Sequence, residues 1–276
     1  MHTLKPEKKA AVLNALLEGN SVRATSRLTG VTKRAILRLL VQTGEHCEKV
    51  MDNRMRDVRC TAMELDEIWS FVAKKDHHLT AEDLKKNPDA GDQYTFVAFD
   101  PDSKLVPTFL VGRRSSMSTY TFVQDLRARV IGRIQISSDS WRPYPGAIEA
   151  AFGSDVDYAQ IDKHYVSEPI GARRYNPPQV SSTTITEICG EPDPARICTS
   201  YVERNNLTIR MQIRRFTRLT NGFSRKLRNL KAAVALYFAH YNLCRVHGSI
   251  RMTPAMAAGI ADHIWSLDEL LNFRIA

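Results

Sequence analysis

The spacing of apolar residues changes near residue 61, and this change divides the chain into two parts. Upstream of it, apolar side chains recur at the spacing of an amphipathic helix, first at Val12, Leu13, Leu16 and Leu17. Downstream of it, they alternate along short segments rich in β-branched and aromatic residues, which is typical of strands. The pattern therefore predicts a small all-α N-terminal domain followed by a larger α/β domain.

Residues 1–45 are predicted to form three short helices in a helix-turn-helix arrangement. Gly19 can end the first helix, Ser21 can cap the second, and Thr32 can cap the third. A tight turn at Gly30 lets the second and third helices cross closely, as DNA-binding domains of this type require. A helical packing module with a solvated basic face would show the same pattern. If the domain binds DNA, the third helix is expected to present Lys33, Arg34 and Arg38.

Residues 61–260 are predicted to form an α/β domain with the element order βββαβαβ, followed by further helices. The predicted strands cover about 62–73, 94–99, 105–111, 134–136 and 158–161. Turn-forming residues at 100–103 join the second and third strands as a hairpin. The first three strands are therefore expected to be antiparallel.

Three segments lie outside these predicted elements. Residues 46–60 are expected to link the two domains, residues 163–199 to form an insertion or long loop across the active face, and residues 261–276 to form a C-terminal tail. The first two segments contain histidines and cysteines: His46, Cys47, Cys60, His164, Cys189 and Cys198. Neither group completes a four-ligand zinc set, so no zinc site is predicted.

Three acidic residues occupy positions that are unusual for acids. Asp66 lies within the first apolar strand, Asp139 follows the fourth, and Glu203 precedes an arginine-rich helical segment. A buried carboxylate is costly unless a partner neutralises it or it binds a cation. Acids just beyond strand ends lie at the edge of a sheet, where open α/β sheets place their sites. We therefore expect the three carboxylates to converge on Mg²⁺.

Other acids compete with these three. Glu64 and Glu67 lie beside Asp66, but strand alternation is expected to place Glu67 on the opposite face of the sheet. Glu149 is a rival of Glu203, because it lies on the helix that follows Asp139. Glu203 is favoured, because arginines beside it can neutralise phosphates and orient a DNA strand. The arginines expected to contact DNA are Arg204, Arg210, Arg214 and Arg215.

The net charge of +9 is unevenly distributed. Residues 1–60 carry 12 Lys and Arg against 6 Asp and Glu, and residues 201–231 carry 9 against 1. All other residues together carry 18 against 23, so two basic surfaces flank a mildly acidic body. This distribution favours a polyanion such as double-stranded DNA, bound at two places.

The five cysteines and the N-terminal segment both indicate a cytoplasmic protein. The cysteines are odd in number, widely spaced and without a CxxC pair, which favours a reducing compartment. The N-terminus lacks the apolar core of a signal peptide, and no segment approaches the ~20 apolar residues that a membrane span needs. We expect a cytoplasmic protein that does not bind membranes.

Three motifs in this order resemble those of the DDE transposases of bacterial insertion sequences, specifically the insertion-sequence-one family. They are DEIWSFV (66–72), DSWRPY (139–144) and VERNNLT (202–208), the last of which is followed by FSRK (223–226). Segments 241–247 and 253–255 further resemble the end of integrase-type catalytic domains. The chain departs from the family at Ser140, where glycine is usual, and in the long interval between Asp139 and Glu203.

The resemblance implies an RNase H-like fold in which Asp66, Asp139 and Glu203 are catalytic and bind two Mg²⁺ ions, with Mn²⁺ as a possible substitute. It also implies a homo-oligomer that binds the terminal inverted repeats and target DNA, cleaves 3′ ends and transfers strands. Two divalent ions can stabilise the attacking and leaving oxygens of a displacement at phosphorus, and hard carboxylates suit them as ligands. Asp66 is the expected bridging ligand. Trp141 and Tyr144 are candidates either for stacking on an unpaired base or for core packing.

Two other functions fit part of the pattern. A DNA-binding regulator with an inactive nuclease-like body would need only the helix-turn-helix domain. A tyrosine recombinase would use Tyr241 or Tyr237 with Arg245 and His247, and it would form a covalent phosphotyrosine without a divalent cation. The presence of all three acids argues against the regulator, and a chelator would distinguish the recombinase.

Overall fold

The second and third N-terminal helices each begin after a residue whose side chain caps them. The computed structural model describes residues 4–166 and 179–275. Its first three helices are α1 (Pro6–Leu17), α2 (Val22–Thr29) and α3 (Lys33–Arg54). The side chain of Ser21 accepts a hydrogen bond from Ala24 N at 3.1 Å, and that of Thr32 accepts one from Ala35 N at 3.3 Å. Between these helices Gly30 has φ +69°, which glycine adopts without strain.

A six-stranded mixed sheet lies at the centre of the remaining chain. The strands in chain order are β1 (Val58–Arg59), β2 (Ala62–Val72), β3 (Gly91–Phe99), β4 (Phe109–Gly112), β5 (Val130–Ile131), β6 (Ile134–Ser138), β7 (Val156–Val166) and β8 (Gln179–Cys189). The short β1 and β5 pair only with each other, and the main sheet has the order β4-β3-β2-β6-β7-β8. β2, β3 and β4 are antiparallel, β2, β6 and β7 are parallel, and β8 returns antiparallel to β7. The fold is therefore a mixed α/β fold with β2 near its centre.

Helices cover both faces of this sheet. They are α4 (Ala81–Lys86), α5 (Ser116–Arg127), α6 (Tyr144–Phe152), α7 (Ser200–Gln212), α8 (Leu227–Leu243), α9 (Pro254–Ala257) and α10 (Leu267–Asn272). α5 and α6 pack against each other, while α7 contacts β2 and β3. No helix in the described ranges is long and apolar enough to span a membrane. Apart from the short elements, the main elements follow the predicted order βββαβαβ, but the unpredicted strand β8 precedes the later helices.

The segment expected to link two domains is largely helical. α3 continues through residues 46–54, and Cys47, Val50 and Met51 are buried at helical spacing. α3 packs along α8, and a Cβ at Gly44 would lie only 2.3 Å from the carbonyl oxygen of Ala232. The expected C-terminal tail also contains α10, which packs against α3 and α8. The N-terminal helices are therefore joined to the rest of the chain by a packed helix rather than by an extended linker.

The expected loop at 163–199 contains most of a β-hairpin. β7 extends to Val166, and β8 runs back beside it with Ile161 opposite Ile185. Residues 167–178, which belong to the same predicted insertion, lie outside the described residues. Most side chains of β8 are exposed on both faces, so the strand carries no apolar alternation that would have revealed it.

Candidate active site

The strand register brings Asp66 and Asp139 together. Leu65 of β2 is paired with Ser138 of the parallel strand β6, so the next residue of each strand is one of the two acids. This position at the carboxyl end of β6 is the sheet edge at which the sequence places the site. The predicted proximity of these two residues therefore follows from two adjacent parallel strands.

The Asp66 carboxylate is half-buried and hydrogen-bonded at both oxygens. Oδ1 accepts from Glu67 N at 2.8 Å, and Oδ2 accepts from the Asn206 side-chain amide at 2.7 Å. Burial raises the pKa of Asp66 to about 6, and the charges of Asp139 and Glu203 add to this effect. Asp66 is thus a desolvated acid close to other acids, which is the setting that favours a bound cation.

Asp139 is held at the end of β6 by backbone and by an arginine. Its Oδ1 accepts from Trp141 N at 3.0 Å, and its Oδ2 accepts from Arg114 Nη2 at 3.2 Å. The Arg114 guanidinium carbon lies 4.1 Å from the centre of the Trp141 ring. Burial raises the pKa of Asp139, while the adjacent Arg114 opposes this shift. Trp141 is half-buried and donates its indole N–H to Thr119 Oγ1 at 3.0 Å.

Glu203 lies beside this pair, in the first turn of α7. Its carboxylate forms an ion pair with Lys163 and accepts a hydrogen bond from Thr199 Oγ1 at 2.8 Å. Asn206, one turn further along α7, reaches Asp66, so the helix packs directly over the acids. The Glu203 charge is close enough to contribute to the raised pKa of both aspartates. Its oxygens are nevertheless engaged by Lys163 rather than grouped with those of Asp66 and Asp139.

The acid grouped most closely with the two aspartates is Glu67. Carboxylate oxygens of Asp66, Glu67 and Asp139 all lie within 4.8 Å of one another. Glu67 also accepts hydrogen bonds from the Tyr144 hydroxyl and from Arg114 Nε, the latter at 3.0 Å. Burial raises the pKa of Glu67 to about 7, and the Asp139 charge adds to this shift. Sequence reasoning assigned Glu67 to the face opposite Asp66, yet its carboxylate, held by Tyr144 and Arg114, lies within reach of both aspartates.

Tyr144 belongs to the interior and does not present a surface for stacking. It is fully buried in α6, and its hydroxyl points at Glu67. Of the two interpretations that the sequence left open for this residue, core packing is the observed one. The Tyr144 hydroxyl and Arg114 together orient Glu67 from the side of the sheet covered by α5 and α6.

A further acid, Glu64, is buried beneath the start of α7. It is 2% exposed, and one carboxylate oxygen accepts a hydrogen bond from Val202 N at 2.8 Å. The other oxygen has no hydrogen-bond partner among the described residues. Burial raises the pKa of Glu64 to about 7. Glu64 therefore ties the N-terminus of α7 to β2, in the position of a helix-capping acid.

The residues predicted to contact DNA differ in accessibility. Lys33, Arg34, Arg38 and Arg204 are exposed, whereas Arg210, Arg214 and Arg215 are half-buried. Burial lowers the pKa of Arg210, which lies near enough to Asp66 to feel its charge. Arg215 donates from Nε to Ser224 Oγ at 2.7 Å, and burial lowers its pKa to about 10. Arg215 is therefore engaged with the protein rather than displayed on the surface.

The residues that the alternative interpretations depend on lie outside the carboxylate group. Glu149 is exposed on α6. Tyr237 and Tyr241 are buried in α8, where the Tyr241 hydroxyl donates to the carbonyl oxygen of Lys104 at 3.0 Å. Burial raises the pKa of both tyrosines. A buried phenol with a raised pKa is poorly placed to attack a DNA phosphate.

The carboxylate group formed by Asp66, Glu67 and Asp139 can accommodate a hard divalent cation. Its donors are oxygens, the type that Mg²⁺ and Mn²⁺ prefer, and the acids outnumber the cationic side chains that contact them. The orienting contacts from Asn206, Tyr144 and Arg114 resemble the hydrogen bonds that hold metal-ligating carboxylates in place.

Neither a protein-family model nor a curated protein matches this sequence significantly.

Proposed function

We propose that this protein is a DDE-type transposase that binds the ends of an insertion sequence, cleaves DNA 3′ ends and transfers the cut strands. The observation that carries the proposal is the pairing of Leu65 with Ser138, which sets Asp66 and Asp139 side by side with Glu203 on the helix above them. Two acids far apart in sequence thus meet at one edge of a sheet, and the helix that carries Glu203 packs over them. Ordinary salt-bridged surface acids have no reason to meet in this way.

The topology supports the finer proposal of an RNase H-like core. The main sheet begins with three antiparallel strands and continues with parallel strands on the other side of β2. Asp66 lies on its first strand, Asp139 follows its fourth, and Glu203 lies on a later helix. This is the placement that the resemblance to DDE transposases implies.

The residues of this chain hold the proposed ligands in place. Asp66, Asp139 and Glu203 would bind Mg²⁺, and Glu67 is a further candidate ligand. Divalent ions bound there would supply Lewis acidity at the scissile phosphate and a counter-charge for the reacting oxygens. Asn206 orients Asp66, and Thr199 orients Glu203. Exposed Arg204 lies next to Glu203 and is suited to a phosphate of the bound strand.

The test of catalysis uses duplex DNA taken from the two segments that flank the coding sequence. We expect Mg²⁺-dependent 3′-end cleavage and joining by the parent protein, and its loss in Asp66→Asn, Asp139→Asn and Glu203→Gln. Glu149→Gln is the matched control, because it removes an exposed acid from the neighbouring α6. The proposal fails if the three variants cut as fast as the parent. Glu67→Gln assayed in parallel reports whether the fourth acid is also needed.

The test of DNA recognition concerns the exposed face of α3. We propose that Lys33 and Arg34 contact DNA, so that Lys33→Ala combined with Arg34→Ala weakens binding to the same duplex. The affinity for Mg²⁺ should not change, because α3 contributes no acid to the carboxylate group. A double variant that removes the same charge from exposed Lys85 and Lys86 is the control. Equal gel-shift affinities for the parent and the α3 variant would contradict the assignment.

A further inference from the structure

A row of half-buried aromatic side chains extends from the carboxylate group along one face of the sheet. Trp69 and Phe71 of β2 have ring centroids 5.7 Å apart, and Phe223 lies 4.7 Å from Phe71. Tyr94 of β3 is paired with Trp69 in the strand register. We call Trp69, Phe71, Tyr94 and Phe223 the aromatic row. Its four members are all half-buried.

The row lies on the same face as Glu67. Side chains alternate along a strand, so residues 67, 69 and 71 of β2 point to one face and recur at roughly 7 Å. The side chains between them, Ile68 and Ser70, point to the other face and are buried. The aromatic face is therefore incompletely covered at this end of β2. It is continuous with the position of Glu67.

Cationic groups accompany the rings. Lys75 Nζ lies 5.3 Å from the centre of the Trp69 ring and 5.9 Å from that of Phe71, and within the described ranges it forms no ion pair. The Arg114 guanidinium carbon lies 5.7 Å from the Tyr94 ring. Arg225 and Lys226 are exposed and lie two and three residues after Phe223. Positive charge is therefore present along the row, where a polyanion could use it.

Arg114 connects the row to the acids. It lies near the Tyr94 ring, and it also donates to Glu67 at 3.0 Å and to Asp139 at 3.2 Å. A nucleic-acid strand lying along the row would therefore continue into the carboxylate group. Flat rings interleaved with cations are how proteins bind single strands, because the rings stack on unpaired bases and the cations neutralise the backbone. A duplex cannot use such rings, since its bases are already stacked on each other.

We propose that the aromatic row binds a stretch of unpaired DNA beside the candidate catalytic carboxylates. The proposal rests on the proposed function for its choice of DNA as the ligand, and it adds that part of the substrate is single-stranded there. Trp69 and Phe71 stack on successive bases, and Lys75 contacts the backbone. A simple surface cluster stabilised by the stacked lysine would have the same rings but no such ligand.

The test measures binding of a fluorescent oligothymidylate and of a duplex of equal length by anisotropy, in EDTA so that no cutting occurs. We expect Trp69→Leu and Phe71→Leu each to weaken single-strand binding about tenfold, with duplex binding unchanged. Trp69→Phe, which keeps a ring, should recover part of the loss. Lys75→Ala should lower the salt dependence of single-strand binding by about one unit of slope. Tyr120→Leu, at an exposed aromatic residue of α5, is the control.

Two outcomes would overturn the proposal. One is single-strand affinity that is the same in the parent and in both leucine variants, including the case in which the parent does not bind the oligothymidylate. The other is an equal loss of single-strand and duplex binding, which would indicate damage to the fold. Because a leucine variant can lose stability, the parent and Trp69→Phe are also compared by tryptophan emission. Quenching of the parent by oligothymidylate should be reduced in Trp69→Phe, and equal quenching would contradict stacking at Trp69.

Failure of this proposal is distinguishable from failure of the proposed function. Binding in EDTA does not depend on Mg²⁺, so the row can be tested whatever Asp66→Asn does to cleavage. If the leucine variants bind oligothymidylate normally and the parent still cleaves duplex ends, only the row is refuted. If the row binds single strands and Asp66→Asn cleaves like the parent, only the catalytic assignment is refuted.

Discussion

Replacing Glu64 with glutamine should stabilise the protein, and the gain should grow as the pH rises. The side chain is 2% exposed, with one oxygen bonded to Val202 N and the other without a partner in the described parts of the chain. Glutamine has nearly the same shape, retains an oxygen that can accept from Val202 N and carries no charge to desolvate. The substitution therefore isolates the cost of burying this carboxylate in its ionised form.

The size of the effect follows from the raised pKa. Burial raises the pKa of Glu64 from 4.5 to about 7. Between these two values the folded state holds a proton that the unfolded chain releases, so the free energy of unfolding falls as the pH rises through this window. One pKa unit corresponds to about 1.4 kcal/mol, which gives an upper bound of about 3 kcal/mol above the window. Below the window both side chains are neutral, and the difference should be close to zero.

The measurement is urea unfolding of the parent and of Glu64→Gln in EDTA, at about pH 5 and at about pH 8, with EDTA removing any effect of a bound cation. The advantage of the glutamine variant should be small at the lower pH and a few kcal/mol at the higher one. Glu149→Gln controls for the loss of an acid at an exposed site. A difference that is the same at both pH values, or larger in acid, would refute the account of Glu64 as a desolvated carboxylate.

Two further substitutions test the packing that holds the site. Gly44→Ala should destabilise the protein by about 1–3 kcal/mol in thermal or urea unfolding, because the new Cβ would lie 2.3 Å from Ala232 O on α8. Gly248→Ala, where a Cβ meets nothing within 4 Å, should have little effect, and equal values for the two variants would contradict close packing of α3 on α8. Asn242→Ala should cost about 2–4 kcal/mol, because the buried Asn242 side chain bonds both the N–H and the C=O of Val106, which would be left without partners. Surface substitutions usually change the unfolding free energy by less than about 0.5 kcal/mol. A change that small for Asn242→Ala would count against this role of Asn242.

Local rules were enough to predict the features that depend on nearby residues. Ser21 and Thr32 cap helices because their side chains reach backbone N–H groups three residues ahead. The proximity of Asp66 and Asp139 was also predicted, and it follows from the parallel pairing of β2 with β6, in which Asp66 lies level with the carboxyl end of β6. These features needed only short-range patterns and the rule for parallel strands.

Features that depend on distant partners were not predictable in the same way. The buried spacing of Cys47, Val50 and Met51 is helical, but charged residues interrupt it, and its partner α8 begins far along the chain at Leu227. On α7 the apolar residue Leu207 is exposed. Asn205 and Asn206 are buried instead, and the latter bonds Asp66. The burial of a polar residue can be predicted only when its hydrogen-bond partner is known.

Glu67 illustrates the same limit at the candidate site. The adjacent acids Asp66 and Glu67 form a signal that the sequence does contain, but alternation alone sends their side chains to opposite faces. The carboxylate of Glu67 comes within reach of Asp139 because Arg114 and Tyr144, from elements much later in the chain, orient it there. Alternation describes the direction of a Cβ, whereas the end of a long side chain can be directed by its hydrogen-bond partners.

The balance of charge at the site constrains how the proposed metal ions could bind. Three carboxylates lie together, at Asp66, Glu67 and Asp139, and Glu203 lies beside them on α7. The cations that contact these four acids are Arg114 and Lys163. When all four are ionised, this leaves an excess of two negative charges, which a single divalent ion would balance. A second ion would need further negative charge, and the scissile phosphate of bound DNA carries it. The proposed function thus leads to a first ion held mainly by protein acids and a second that binds together with DNA.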